Sequence, residues 1–273
     1  MNLNIAVIQM DCELRNKEAN LAKAEKYIDE AGKDADIIAL PEFFTTGYLL
    51  ELINEDFYEL AETIPGPTVD RLAEKAKQHG TAIIANIVEK DSEQTGVLYD
   101  TTFVIDQNGA YQGKYRKVHL YPTEHQYFRS GSAFPVFPIA GTKVGIATCY
   151  DHAFGEMFRV MALKGAEMIF IPSAVPKNFE YLLDLRTRAR AQDNQIFTVA
   201  VNRAGNDGEV EWCGSSKMVN PRGEIVCEAD DTEGVLTGSA DLSMITKERR
   251  QEPILRSRRP ELYATLSQDK KQL

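Results

Sequence analysis

Cys149 closes an apolar run, Val144-Gly-Ile-Ala-Thr148, and precedes Tyr150-Asp-His-Ala-Phe-Gly-Glu156. A thiol at such a strand-to-helix bend is presented at a sharp turn, and the next backbone N–H, that of Tyr150, can point at a developing oxyanion. The helix start and a nearby cation would lower its pKa and favour the thiolate. Glu42 follows Ala39-Leu-Pro41 and precedes Phe43-Phe44. Apolar neighbours desolvate its carboxylate, raise its pKa toward neutrality and suit it to general-base work. Lys117, in Tyr115-Arg-Lys-Val-His-Leu120, could hold an oxyanion with a fixed ammonium. Glu124, in the loop beyond it, could orient Lys117 or a substrate amide.

Each residue alone has a plainer reading. A free cysteine is more often packed as a small hydrophobe, a glutamate often caps a helix, and lysines are usually exposed. What the four share is position: each lies just after an apolar strand or in a loop beyond one, where active-site groups of open α/β sheets collect. Of the histidines, His79, His119, His125 and His152, only His152 is near Cys149 in sequence. Next-turn proximity does not make it a base, so it is read as lining a pocket. Asn178, Phe179 and Trp212 lie on loops that could line the same pocket, or serve packing and subunit contact. No GxSxG elbow, P-loop, GxGxxG or HExxH occurs.

The elements that must position these residues follow from periodicity. Ile5–Met10 and Ile37–Leu40 are buried apolar runs, and Leu21, Ala24, Ile28 and Ala31 recur between them at helical spacing. Val69, Leu72, Ala73 and Ala76 mark a second helix capped near Gly80, followed by a strand over 81–88. Residues 101–105 and 110–115 form a hairpin across Asp106-Gln-Asn-Gly109. The second half repeats the scheme: a strand over 144–148, a helix from Cys149 to about Lys164, a strand over 168–172, a helix over 181–192 and a strand over 196–201. A hairpin, 215–219 with 224–227, and a last strand over 234–241 precede a charged tail. Strands this apolar must be covered on both faces. The expected fold is α/β, a four-layer α-β-β-α sandwich of two mixed sheets. It is read as one domain over 1–273 with a C-terminal extension from about 242.

Bulk properties narrow the partners. The 273 residues carry 31 Lys and Arg against 41 Asp and Glu, a formal charge of -10, which disfavours nucleic acid. The basic tail residues Arg249, Arg250, Arg256, Arg258 and Arg259 are interspersed with Glu248, Glu252 and Glu261, which weakens a nucleic-acid reading there too. Apolar runs are strand-sized, too short for a membrane span. Four scattered cysteines, Cys12, Cys149, Cys213 and Cys227, form no CxxC or zinc spacing and place the chain in a reduced, cytoplasmic setting. The N-terminus lacks the features of a signal peptide.

Taken in order, several segments resemble the carbon–nitrogen hydrolase (nitrilase) superfamily. They are Leu40-Pro-Glu-Phe-Phe44 with Gly47-Tyr48, Arg116-Lys-Val-His-Leu120, and Cys149-Tyr-Asp151 with Phe154-Gly-Glu156 and Arg159. Gly165-Ala-Glu167, Pro172-Ser173, Arg190-Ala-Gln-Asp-Asn194, Gly214-Ser-Ser216 and Pro221-Arg-Gly223 continue the series nearly to the end. Gly155 stands where the family usually has Pro, and Asp193 where it usually has Glu. The resemblance implies the four-layer fold, Glu42 as base, Lys117 as oxyanion lysine, Cys149 as nucleophile and Glu124 as a fourth member, with no metal or organic cofactor. True nitrilases of the superfamily usually carry Trp-Glu after the nucleophile. Tyr150-Asp151 is more similar to the amidase and carbamoylase branches. A small amide is therefore the expected substrate, with an N-carbamoyl compound or a nitrile as alternatives. The family also implies a homodimer or larger homo-oligomer.

Overall fold

The computed structural model describes residues 1–268. Its first half runs β1 (Asn2–Gln9), α1 (Lys17–Ala31), β2 (Ile37–Ala39), α2 (Leu50–Ile53), α3 (Phe57–Leu60), α4 (Pro67–His79), β3 (Ala82–Lys90), β4 (Leu98–Ile105) and β5 (Tyr111–Arg116). The second half runs β6 (Val136–Ile139), β7 (Thr142–Ile146), α5 (Gly155–Leu163), β8 (Met168–Ser173), α6 (Glu180–Asn194) and β9 (Phe197–Asn202). It continues through β10 (Asn206–Asp207), β11 (Val210–Glu211), β12 (Lys217–Val219), β13 (Ile225–Glu228), β14 (Gly234–Asp241) and α7 (Ser243–Gln251).

Two six-stranded sheets result, in the orders β14-β1-β2-β3-β4-β5 and β6-β7-β8-β9-β12-β13. The halves match strand for strand. In each, three parallel strands are flanked by one antiparallel strand on one side and two on the other. Alternation along β1 shows why layers are needed. Ile5 and Val7 join the core shared with β7, β8 and β9, whereas Ala6 and Ile8 pack against Leu21, Ala24 and Ile28 of α1 and Leu72 of α4. Successive side chains point to opposite faces, so a strand apolar at every position needs a sheet on one side and helices on the other. The four-layer α-β-β-α arrangement meets that demand.

Several elements depart from the sequence expectation. Residues 134–139, Phe-Pro-Val-Phe-Pro-Ile, contain two prolines, yet 136–139 form β6. Pro138 is tolerated because β6 is an edge strand. The helix expected directly from Cys149 is broken: a 3₁₀ turn spans Cys149–Ala153, Phe154 is extended, and only then does α5 begin. The strand expected from Thr101 starts at Leu98, which brings Asp100 into the sheet. The charged tail opens with α7, whose Ile245 is buried in the core. No helix among the described residues is long and apolar enough to cross a membrane.

Candidate active site

Glu42 lies just past the carboxyl end of β2. Leu40 N–H still bonds to the Ile84 carbonyl at 2.9 Å, and Phe43 N–H to Asn86 Oδ1 at 2.9 Å, so the chain around Glu42 is pinned to β3. Lys117 follows β5, with its N–H bonded to the Asp100 carbonyl at 2.8 Å. Both side chains are fully buried. Lys117 Nζ is 2.7 Å from Glu42 Oε1, 2.7 Å from Glu124 Oε1 and 3.3 Å from Asp100 Oδ2. Glu124 is fixed in turn by the Tyr48 hydroxyl at 2.6 Å and the Tyr121 N–H at 2.9 Å. Three carboxylates this close could in principle hold a cation. Here the ammonium of Lys117 stands among them and offsets part of their charge.

Cys149 follows β7 with φ of 46°, in the left-handed region that non-glycine residues rarely adopt. Such strain is held only where the surroundings over-determine it. Asp151 supplies that restraint. It accepts from Thr148 N–H at 2.8 Å, the Tyr115 hydroxyl at 2.6 Å, and the N–H and Nδ1 of His119 at 3.0 and 2.8 Å. Tyr150 N–H is one of the first donors of the 3₁₀ turn, which have no acceptor within it. The thiol lines a cavity of about 460 Å³ together with Tyr48, Tyr150, His152, Phe179 and Trp212. Asn178 does not line it: on the turn Lys177–Phe179 it faces solvent.

The electrostatics follow from burial. Desolvation raises Glu42 well above the usual carboxylate range, and the neighbouring Asp100 and Glu124 offset part of the opposing pull of Lys117. Asp100 is raised as well, again chiefly by burial. Burial alone would lower Lys117, but Glu124, Glu42 and Asp100 around it hold its proton firmly, well above the ordinary lysine value. The thiol differs from expectation. Cys149 is pushed up, not down, because burial and the charge of Glu42 outweigh Lys117. The resting group is therefore a thiol, and it needs a base to become a nucleophile. Glu42 is the carboxylate whose charge weighs most on it.

Sequence reasoning overlooked Asp100, Tyr48, Asn86 and Asp151 as parts of this assembly. Asn86 Nδ2 bonds to Asp100 Oδ1 at 2.6 Å and so ties the acidic cluster to β3. A usable signal was present: Asn86 interrupts the apolar run from Ala82 to Val88, and Asp100 is a charged residue within β4, and buried polar groups require partners.

A four-layer fold with a buried thiol facing a Lys–carboxylate cluster is that of a carbon–nitrogen hydrolase. The chain belongs to the carbon-nitrogen hydrolase family, whose profile matches residues 4–250. It is 33% identical over 272 residues to a probable nitrilase of Schizosaccharomyces pombe, covering 97% of this chain and 99% of the relative. It is 33% identical to the 2-oxoglutaramate amidase of Bacillus subtilis, covering 96% of this chain and 100% of the relative. Among solved structures it superposes with a TM-score of 0.83 on an amidase from Nesterenkonia sp. AN1, at 25% identity and 96% coverage of both chains. That amidase carries the acetamide moiety of fluoroacetamide covalently on its active-site cysteine.

Proposed function

We propose that this enzyme hydrolyses a small carboxamide through a Cys149 thioester. The observation that carries the reading is the ion pair of Lys117 and Glu42, 2.7 Å apart and out of solvent, whose charges act on a buried thiol that lines the cavity. Glu42 takes the thiol proton as sulfur bonds to the carbonyl carbon. The carbonyl π electrons move to oxygen, and Lys117 and Tyr150 N–H hold that oxyanion. Collapse breaks the C–N bond, and Glu42 returns its proton to the departing ammonia. The thioester remains. Glu42 then takes a proton from water as the water oxygen attacks, and the second collapse breaks the C–S bond, frees the carboxylic acid and returns that proton from Glu42 to the sulfur. Glu124 and Tyr48 keep Lys117 in register. The amidase named above, with its substituted cysteine, supports Cys149 as nucleophile by analogy.

Residues 1–273 are read as one catalytic domain with an extension from about 242. Leu163, Tyr181 and Leu185 stay exposed on α5 and α6, which supports a homodimer or larger assembly. The four free cysteines suit a reduced, cytoplasmic setting.

A panel of primary amides, N-carbamoyl amines and nitriles tests the chemistry. Ammonia release from amides, with an acyl adduct in intact-mass spectra that is lost in Cys149→Ala, is the expected result. Carbon dioxide release from the carbamoyl set alone, or turnover of nitriles alone, would replace the amide reading. Activity retained by Cys149→Ala would end it.

A further inference from the structure

Asn86 and Thr102 stand opposite each other on β3 and β4. Side chains alternate between the faces of a strand, so they share their faces with Ile84 and Val104, which belong to the core between the two sheets. Both are fully buried, and their hydrogen bonds run from one sheet to the other. Phe43, next to Glu42, donates its N–H to Asn86 Oδ1 at 2.9 Å. Asn86 Nδ2 donates to Asp100 Oδ1 at 2.6 Å and to Thr102 Oγ1 at 3.0 Å. Thr102 Oγ1 lies 3.1 Å from Oγ1 of Thr148, which is also fully buried and stands just past β7, before Cys149. Thr148 opens the turn that carries the nucleophile: its side chain accepts the Asp151 N–H, and its own N–H bonds to Asp151 Oδ2 at 2.8 Å.

A continuous chain of hydrogen bonds thus joins the backbone beside Glu42 to the backbone beside Cys149. Each end lies against left-handed backbone, Phe43 with φ of 49° and Cys149 with φ of 46°, a conformation that the surroundings must enforce. A second bond crosses between the sheets nearby, from the Tyr115 hydroxyl to Asp151 Oδ2 at 2.6 Å. It holds the turn from its other side. Loss of the threonine pair therefore leaves the fold standing and frees only Thr148 and the sulfur beside it to shift.

We propose that Thr102 and Thr148 are positioning residues, whose paired hydroxyls bridge the two sheets and set the register between Glu42 and the Cys149 sulfur. The carboxylate follows β2 of one sheet and the thiol follows β7 of the other, so contacts across the interface fix their separation. Proton transfer from thiol to carboxylate needs hydrogen-bond reach, and small misplacements of reacting groups cost rate steeply. The bridge lies behind the reacting groups and lines no part of the cavity. It governs how fast the thiol attacks, not how well the amide binds. This role rests on Glu42 and Cys149 being base and nucleophile, as the amide-hydrolase reading has them.

The test pairs Thr102→Val, which keeps the shape and removes the hydroxyl, with Thr102→Ser, which keeps the hydroxyl and removes a methyl. Saturating kinetics on the preferred amide should show kcat of the valine variant lowered on the order of 10-fold, with KM within about twofold of wild type. The serine variant should recover most of that loss. A valine variant with kcat within about twofold of wild type, or a serine variant no faster than the valine one, overturns the assignment. Thr148→Val breaks the same bond from its other end and keeps the test open if Thr102→Val does not fold. In the double valine variant the two losses should not multiply, because one bond is lost once; full additivity overturns the pairing. Alkylation of Cys149 by iodoacetamide, followed by peptide mass, separates this claim from the hydrolase reading. Alkylation slowed in Thr102→Val and restored in Thr102→Ser, with no amide turned over by the wild type, would leave the bridge standing and sink the hydrolase. Amide turnover by the wild type, with kcat and alkylation both unchanged in Thr102→Val, would do the reverse.

Discussion

Lys117 is held by Asp100 at both ends: its backbone N–H bonds to the Asp100 carbonyl at 2.8 Å, and its Nζ lies 3.3 Å from Asp100 Oδ2. The acidic cluster is thus a third carboxylate richer than a base and an orienting glutamate require. Glu42 Oε2 meanwhile finds no donor among the described residues.

This excess charge bears on the base. The negative charge of Asp100 raises Glu42, adding to the effect of burial. Asp100→Asn preserves the shape and removes that charge, so Glu42 ionises more easily. The acid limb of kcat/KM, which reports the free enzyme's base, should move to lower pH. A pH–rate profile with the limb unmoved would show that another group controls it.

Lys117→Met removes the single cation among three fully buried acidic side chains. Breaking a buried pair in this way costs about 3–5 kcal/mol. The urea midpoint should fall accordingly and amide turnover should vanish. Adding Glu124→Gln to the methionine variant takes away one stranded charge. Part of the stability should return, and none of the activity. Simple additivity of the two losses would refute the coupling.

The fold was largely legible because its strands are apolar at consecutive positions, as in Val7-Ile8 and Ile169-Phe-Ile171, and only a sandwich covers both faces. The ends of parallel strands likewise pointed to Glu42 and Cys149. Asp100 escaped the same rule for a topological reason. It lies near the start of β4, and an antiparallel strand begins where its parallel neighbours end: Asp100 pairs in register with Val88 near the end of β3. Searching only the carboxyl ends of strands misses the opposing amino end. The thiol's pKa was misjudged because a one-dimensional reading sees the turn beside Cys149 and the nearby lysine, but not how many carboxylates fold around that lysine.

Tyr48 joins the cavity wall to the acidic cluster. Burial and the charge of Glu124 hold its phenol well above the usual tyrosine value, so it remains a donor to Glu124 Oε1 at 2.6 Å. A hydrogen bond to a charged group contributes about 1.5–3 kcal/mol. Tyr48→Phe should loosen Glu124 and, through it, Lys117, lowering kcat at least about 10-fold by that scale. Saturating kinetics on the preferred amide give the number. A kcat within twofold of wild type would place Tyr48 in the wall alone.

His152 gives the folded state a defined acid sensitivity. Its pKa is about 3 in the folded chain against 6.5 for the free side chain, chiefly because it is buried and secondarily because Arg186, Lys117 and Arg190 oppose a second positive charge. Between those values the unfolded chain binds a proton that the folded chain refuses. Stability therefore rises with pH across this window, is complete above about 6.5, and is lost as pH falls toward 3. At pH 5.0 the histidine should cost about 2 kcal/mol relative to pH 7.5, because each tenfold difference in proton binding between the two states is worth about 1.36 kcal/mol. His152→Asn cannot titrate and still offers an acceptor to Arg186. Urea unfolding of both proteins at the two pH values cancels the contribution of surface carboxylates. The wild type should lose about 2 kcal/mol more than the variant over that interval. Parallel losses would mean that the ring takes up its proton inside the fold.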